Sequence, residues 1–238
     1  MLSLKEWVSS KGIPRADKND DIEEYSSIQS SGVLNSHLQK HNKIKSWNGK
    51  APEEAAKNIS NAIKPTTHEN TVYTGTSDPS SMWKEHKAST KEPLTVHFHQ
   101  FLSTSHDIRN AALFGESNLE SEHDSVAHPL RNAKSTVAKK QLNPEFKGMQ
   151  RFTDSKVKNP KTQITHVLKI HIPEGTRAAR IDHLSHFPEE GETLLDRGHK
   201  IQIHPHPEAK IVEQSGTKRG HQNKVYIWHA KVVGHEVK

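Results

Sequence analysis

The sequence predicts an α+β fold, with helices gathered in its first quarter and short strands after them. Three observations carry this expectation. Apolar residues recur at helical spacing up to about residue 64. Beyond residue 70 they alternate or form short runs. Glycines, prolines and acidic turns punctuate those runs.

Residues 1–20 are polar with little pattern and read as a flexible N-terminus ahead of one domain over 21–238. Within 21–38, Ile22, Tyr25, Ile28, Val33, Leu34 and Leu38 suit two short helices broken at Ser30, Ser31 and Gly32. A third helix fits 51–64: Pro52 suits a first turn, Glu53 and Glu54 favour the N-terminal end, and Pro65 stops it. The helical part thus covers about 21–65, and a β-rich part follows over about 70–235. Its first strand, 71–73, ends at Gly75, and 94–102 alternates as a second. A helix over 107–114 takes Asp107 as N-cap. Residues 116–161 are polar without sustained period and read as an insertion, with one helix near 135–141. The alternating run 164–172 is a strand closed by Pro173, Glu174 and Gly175. Further strands fall at 178–181, 193–195, 200–203 and 225–233.

Composition narrows the function. Hydrophobic residues are 31% and aromatics 5%, with a mean hydropathy of -0.88, so the core is thin and solvated loops are expected. Lys and Arg number 34 against 28 acids, a net charge of +6. That balance suits a dinucleotide, an RNA or an acidic protein surface, and equally an ordinary solvated basic surface. With no cysteine, disulfides, a thiolate nucleophile and the common structural zinc sites are excluded. No run approaches the roughly 20 apolar residues of a membrane span. The first fifteen residues also lack a signal-peptide core, so action in a cytoplasm is expected. His97 with His99, and His204 with His206, share strand faces, but neither pair has a carboxylate at ligand spacing, and no metal is expected. No glycine-rich phosphate loop is present, so a dinucleotide would sit in a cleft between sheets.

Three short texts at strand ends stand out: Val72-Tyr73-Thr74-Gly75-Thr76, Phe101-Leu102-Ser103-Thr104-Ser105 and Glu190-Gly191-Glu192-Thr193-Leu194-Leu195. Two glutamates two apart at a strand's start point to one side, so Glu190 and Glu192 can converge on one ligand. A carboxylate pair suits a cationic, sugar-like transition state. By itself the same text describes a solvated acidic turn. The hydroxyls of Ser103, Thr104 and Ser105 can orient a carboxylate or a ribose, or simply cap the next helix.

The order of these texts resembles the Arg-Ser-Glu class of mono-ADP-ribosyltransferases, the arginine-modifying bacterial toxins and the T-even phage Alt and Mod enzymes. In that class a tyrosine-arginine-glycine strand precedes a serine-threonine-serine strand, and E-x-E with paired leucines comes last. Ile22-Glu23-Glu24-Tyr25 with Leu34, Asn35 and Leu38 resembles the class's N-terminal helices. Ala112 and Phe114, the strand and turn over 167–176, and Ser185-His186-Phe187-Pro188-Glu189-Glu190 also match. The likeness covers about 21–235 apart from the polar insertion.

The resemblance implies two facing antiparallel-rich sheets forming an NAD cleft, packed against the N-terminal helices. It implies cleavage of NAD at the nicotinamide–ribose bond and transfer of ADP-ribose to arginine side chains of host target proteins, with no metal and by a monomer. Glu192 would bind the ribose hydroxyl and stabilise the oxocarbenium ion. Glu190 would hold the incoming guanidinium, and Ser103 would orient Glu192. Tyr73, Thr74, Gly75, Thr104, Ser105 and Phe114 would line the NAD site, and Phe187 would face the acceptor protein. Thr74 departs from the pattern, because the class carries an arginine there; Arg109 and Lys84 are candidate replacements. A phage-encoded enzyme in the host bacterial cytoplasm is the preferred setting, ahead of a delivered effector. A catalytically weak NAD- or RNA-binding module with the same fold is the alternative.

Overall fold

The computed structural model describes residues 11–27, 30–40, 43–76, 78–108, 110–111, 164–213 and 222–237. The expected insertion at 116–161 and the end of the helix expected at 107–114 lie outside these.

Three helices come first: α1 (Asp20–Tyr25), α2 (Ser30–Leu38) and α3 (Pro52–Ala62). The side chain of Asn19 caps α1 by accepting from the N–H groups of Asp21 and Ile22, at 2.9 and 3.1 Å. Asp21 is buried, and its carboxylate takes Lys50 Nζ at 2.7 Å and Asn58 Nδ2 at 2.8 Å, which ties α1 to α3. The break between the first two helices falls earlier than the sequence suggests. Ser30, Ser31 and Gly32 form the first turn of α2 instead of the gap before it. A first turn tolerates them because its N–H groups have no partner within the helix, and Ser27 Oγ accepts one from Ser30.

The strands are β1 (Asn70–Thr76), β2 (Leu94–Phe98), β3 (Leu102–Ser105), β4 (Ile164–Ile172), β5 (Ala178–Arg180), β6 (Glu192–Leu195), β7 (His199–Ile203), β8 (Glu208–Glu213) and β9 (Gln222–His235), with a short helix α4 (Ser80–Glu85) between β1 and β2. They join in the order β2-β7-β9-β4-β1-β3-β6-β5, with β8 on β9. Only β4 with β9 is parallel among these pairings. The run expected as one strand over 94–102 is two: β2 pairs β7, while β3 pairs β6. Its alternation spans a corner, and Gly198 N–H closes β2 on the Phe98 carbonyl at 2.7 Å. The sequence signalled neither α4 nor β8. Trp83 anchors α4 in the core, its Nε1 donating to the Glu92 carbonyl at 2.9 Å.

β1 and β3 share one register pair, Tyr73 opposite Ser105, and the sheet folds over at this joint. The two halves then face each other across an apolar seam. Val72, Leu168, Ile170, Ile172, Trp83 and Trp228 from the larger half meet Ala178 and Leu195 from the smaller. The opposite face of β3, β5 and β6 presents Phe101, Ala179 and Leu194 to Ile22, Tyr25, Leu34 and Ile59 of the helices. Residues 11–19, expected ahead of the domain, run along β5: Ile13 and Ala16 are buried, and Ala16 N–H donates to the Arg180 carbonyl at 3.0 Å. No helix among the described residues is long and apolar enough to cross a membrane.

Two devices fix β6. Asp196, buried just after it, accepts Arg177 Nε at 2.6 Å and Ser60 Oγ at 2.7 Å, which ties the strand to β5 and α3. Gly198, in the turn to β7, has φ +89°, and a Cβ there would lie 2.5 Å from the Glu236 carbonyl oxygen. Gly198→Ala is expected to lower stability by about 2 kcal/mol or more. Thermal denaturation checks this, and an unchanged midpoint would contradict the tight turn.

Candidate active site

In an antiparallel pair, residues directly opposite share a face. Ser105 opposes Glu192 and Ser103 opposes Leu194, so Ser103, Ser105 and Glu192 all lie on the face that carries Leu194 against the helices. Glu192 is buried there at 6% exposure. Burial pushes its carboxyl up to about 7, while hydrogen bonds from Ser103 and Ser185 pull the other way.

The helices continue the chain of hydrogen bonds. Asn35 Nδ2 donates to Tyr25 Oη at 2.9 Å and to the Phe101 carbonyl at 3.2 Å. The Tyr25 ring packs edge-on against Phe101, with centroids 5.5 Å apart, and its hydroxyl is hydrogen-bonded to Ser103. Burial first, and the Glu192 charge second, raise the Tyr25 phenol. An ionised carboxylate offers no proton, so Ser103 donates to Glu192 and accepts from Tyr25. The order Asn35, Tyr25, Ser103, Glu192 is therefore directed. On the other side, Ser185 Oγ accepts the Phe187 N–H at 3.0 Å, which holds its loop in place. That loop is tied to the end of α1, where the His186 N–H donates to Ser26 Oγ at 3.1 Å.

Glu190 is held differently. It ends the 3₁₀ turn Pro188–Glu190, and Gly191 follows in the left-handed conformation at φ 57°. Strand alternation, the argument that aimed both glutamates the same way, does not reach Glu190, because the strand begins at Glu192. Its backbone is fixed instead: its carbonyl accepts Ser105 Oγ and Asn110 Nδ2, both at 2.9 Å. Ser105 Oγ also accepts the Asp107 N–H at 3.0 Å, so one hydroxyl joins the serine strand, the following helical turn and the Glu190 turn.

Other expected residues are placed elsewhere. Thr74 is 4% exposed and faces the seam between the halves, where Oγ1 donates to the Ser103 carbonyl at 2.8 Å. Thr104, fully buried on that same side, donates to the Thr193 carbonyl at 2.6 Å. Both threonines clamp strands. Tyr73 lies on the Ser105 side, packed against the cluster of Ala111, Val167, Val225 and Ile227, and Gly75 shares its face. Phe187 is half-buried ahead of the 3₁₀ turn. Lys84 is exposed on α4, while Phe114 and Arg109 lie outside the described residues. The His97 and His99 rings sit 4.1 Å apart at the end of β2, and His204 and His206 follow β7. Among the described residues no three potential metal ligands gather.

The sequence marks Tyr25 and Asn35 only as helix residues and Ser185 only as part of a matching loop. A polar pair at apolar helix positions was the available signal, because a buried tyrosine needs a partner.

The sequence model described as ADP-ribosyltransferase exoenzyme matches residues 130–228, a stretch that includes β4, Glu190 and β6. No curated protein matches the sequence. Among solved structures, the enzymatic component C2-I of the C2-toxin from Clostridium botulinum is similar at a TM-score of 0.51 and 13% identity, over 100% of this chain and 44% of that one. Plx2a, an ADP-ribosyltransferase toxin from Paenibacillus larvae, is similar at 0.48 and 16% identity, over 92% and 88%. This chain has the ADP-ribosyltransferase toxin fold.

The raised Glu192 carboxyl makes stability depend on pH. Folded, the group ionises near 7 against an ordinary value of 4.5. Between these values the unfolded chain loses the proton that the folded one keeps, so stability falls as pH rises, and the loss levels off above 7. Glu192→Gln is therefore expected to match wild type near pH 4.5 and to be more stable near pH 8 by up to about 3 kcal/mol. Denaturant melts at the two pH values measure it; a variant that loses stability at both would refute the buried carboxylate.

Proposed function

We propose that this chain, which carries the ADP-ribosyltransferase toxin fold, cleaves NAD at the nicotinamide–ribose bond and transfers the ADP-ribose to arginine side chains of target proteins. The observation that carries the reading is Glu192: a buried carboxylate, hydrogen-bonded by two serines and backed by a directed chain from Asn35 through Tyr25. Preorganised negative charge in a water-poor site stabilises a cation far better than the same charge in water. As the bond to nicotinamide lengthens, positive charge builds on the ribose, and the pyridinium leaves as neutral nicotinamide with the bonding pair. Glu192 accepts a hydrogen bond from the ribose hydroxyl and stabilises that charge. Ser103 and Ser185 hold the carboxylate in place and keep part of its ionised form at neutral pH.

Glu190 serves the acceptor. It stands half-buried in the turn before β6, fixed through its own carbonyl by Ser105 and Asn110. A guanidinium attacks only after losing a proton, and its high pKa makes a neighbouring carboxylate necessary for that step. Phe187, three residues earlier, offers an apolar contact for the target protein. Host bacterial proteins in the cytoplasm are the proposed targets of an enzyme acting as a monomer, with phage origin the preferred setting.

Thr74 favours a second reading, a module that binds NAD or RNA without turnover, because the strand residue where the class has an arginine is here neutral and turned inward. Nicotinamide release separates the two: binding of NAD by calorimetry with no release supports the module.

With labelled NAD and an arginine-rich acceptor, wild type is expected to label the acceptor, and Glu192→Ala to lower the rate by about 100-fold or more. Equal labelling by both would refute the assignment. Glu190→Gln should keep NAD hydrolysis while losing transfer to arginine; loss of both together removes its acceptor role. Because Glu192 must be ionised, kcat/KM for NAD is expected to fall as pH drops through about 7. A profile flat from about pH 5.5 to 8 would contradict that requirement.

A further inference from the structure

We infer that His166 is a proton switch in the seam: in mild acid its ring exchanges the Trp228 indole for the Asp78 carboxylate and loosens α4. The inference stands on the packing of the larger half and is independent of the proposed catalysis. Three tryptophans are buried among the described residues, and each indole N–H has an acceptor. Trp47 donates to the Ser30 carbonyl at 3.0 Å and Trp83 to the Glu92 carbonyl at 2.9 Å. Trp228 differs, because its Nε1 donates to His166 Nδ1 at 3.0 Å. A backbone carbonyl does not titrate near neutrality, and an imidazole does. An indole N–H only donates, so Nδ1 is the bare nitrogen and the ring proton sits on Nε2. A second proton goes to Nδ1 and turns the acceptor into a donor. The Trp228 bond cannot survive that change.

The same nitrogen has its next partner at hand. Asp78 Oδ1 lies 4.0 Å from Nδ1, within reach of the new N–H after a small turn of either side chain. Tyr226 holds the ring in both states: the two rings stack with centroids 5.3 Å apart at 14°, and an aromatic face also receives a cation. Thr76 and Tyr226 oppose His166 on β1 and β9, and among the described residues Asp78 is the charged group that acts on the ring. Burial holds the imidazole below its ordinary 6.5, and the Asp78 charge works against that. The stability that neutral His166 lends is therefore complete above 6.5 and is lost as the pH falls below it. α4 feels the change twice. Asp78 Oδ1 also accepts the Ser80 N–H at 2.9 Å, at the start of the helix. Trp83, the buried anchor of α4, packs on Trp228 with ring centroids 5.9 Å apart. A helix of six residues has little stability of its own, so it depends on these contacts.

The chain has 19 histidines and Glu192 titrates as well, so a bulk melt would mix many protons. Indole N–H resonances report each tryptophan by itself. On the full chain, taken from about pH 7.5 to about pH 5, the Trp228 resonance should move in one step with its midpoint below the ordinary histidine value. The Trp47 resonance should stay in place. Amide exchange in α4, corrected for its intrinsic pH dependence, should quicken by roughly 10-fold across the same step. His166→Asn keeps an acceptor where Nδ1 stands and does not titrate, so Trp228 and α4 should not respond. Asp78→Asn keeps the bond to Ser80 but removes the charge, and its midpoint should move to lower pH. A Trp228 resonance that stays still in wild type would overturn the switch, as would the same step in His166→Asn. An unchanged midpoint in Asp78→Asn, or α4 exchange that stays slow through the step, would overturn it equally.

Discussion

The architecture turns on a narrow joint: β1 and β3 share one register pair, Tyr73 opposite Ser105, with the Thr74 Oγ1 bond to the Ser103 carbonyl beside it. A full ladder between these strands would keep the sheet open. A single pair lets the smaller half swing over and bury its inner face against the larger one, which removes apolar area from water on both. Each strand through the joint then has one side turned to the seam and one turned outward. Thr74, Thr104 and Thr193 fall on the seam side; Tyr73, Ser103, Ser105 and Glu192 fall on the other. The candidate site lies on the second side, and the helices roof Glu192 there.

That roof is what makes Glu192 unusual. A carboxylate at the start of a strand is ordinarily wet, but Tyr25, Phe101 and Leu194 close this one off. Two hydroxyls offset part of the desolvation cost, and the remainder is carried by the fold. Folds tolerate such local conflicts where chemistry needs them. The side chains that bear most directly on the charge come from distant parts of the chain, with Tyr25 and Asn35 on helices, Ser103 on a strand and Ser185 on a loop. Tension at one carboxylate is thereby shared among elements that the core already holds in place.

Much of this was legible in the sequence. Period-two runs placed β4, β6, β7 and β9 nearly as observed, and proline with paired glutamates marked α3. The corner between β2 and β3 was not legible, since alternation looks the same on both sides of a turn that lacks glycine and proline. Ser103, Ser105 and Glu192 were identified as a group and are one group. Thr104 and Thr74 were grouped with them by text and are separated by strand parity. The aim of Glu190 could not be read from spacing, because Gly191 takes a left-handed conformation that resets the count.

The sequence alone determined most element types, the α+β class and the serines and glutamates able to carry the chemistry, because hydrophobic period and side-chain chemistry are local properties. Only the tertiary structure decided which of those residues meet. Tyr25 and Asn35 joined the site, the threonines left it, and Glu192 became a group that ionises near neutrality. Facing and burial depend on how distant strands pair and what covers them, and no short stretch of sequence contains that information.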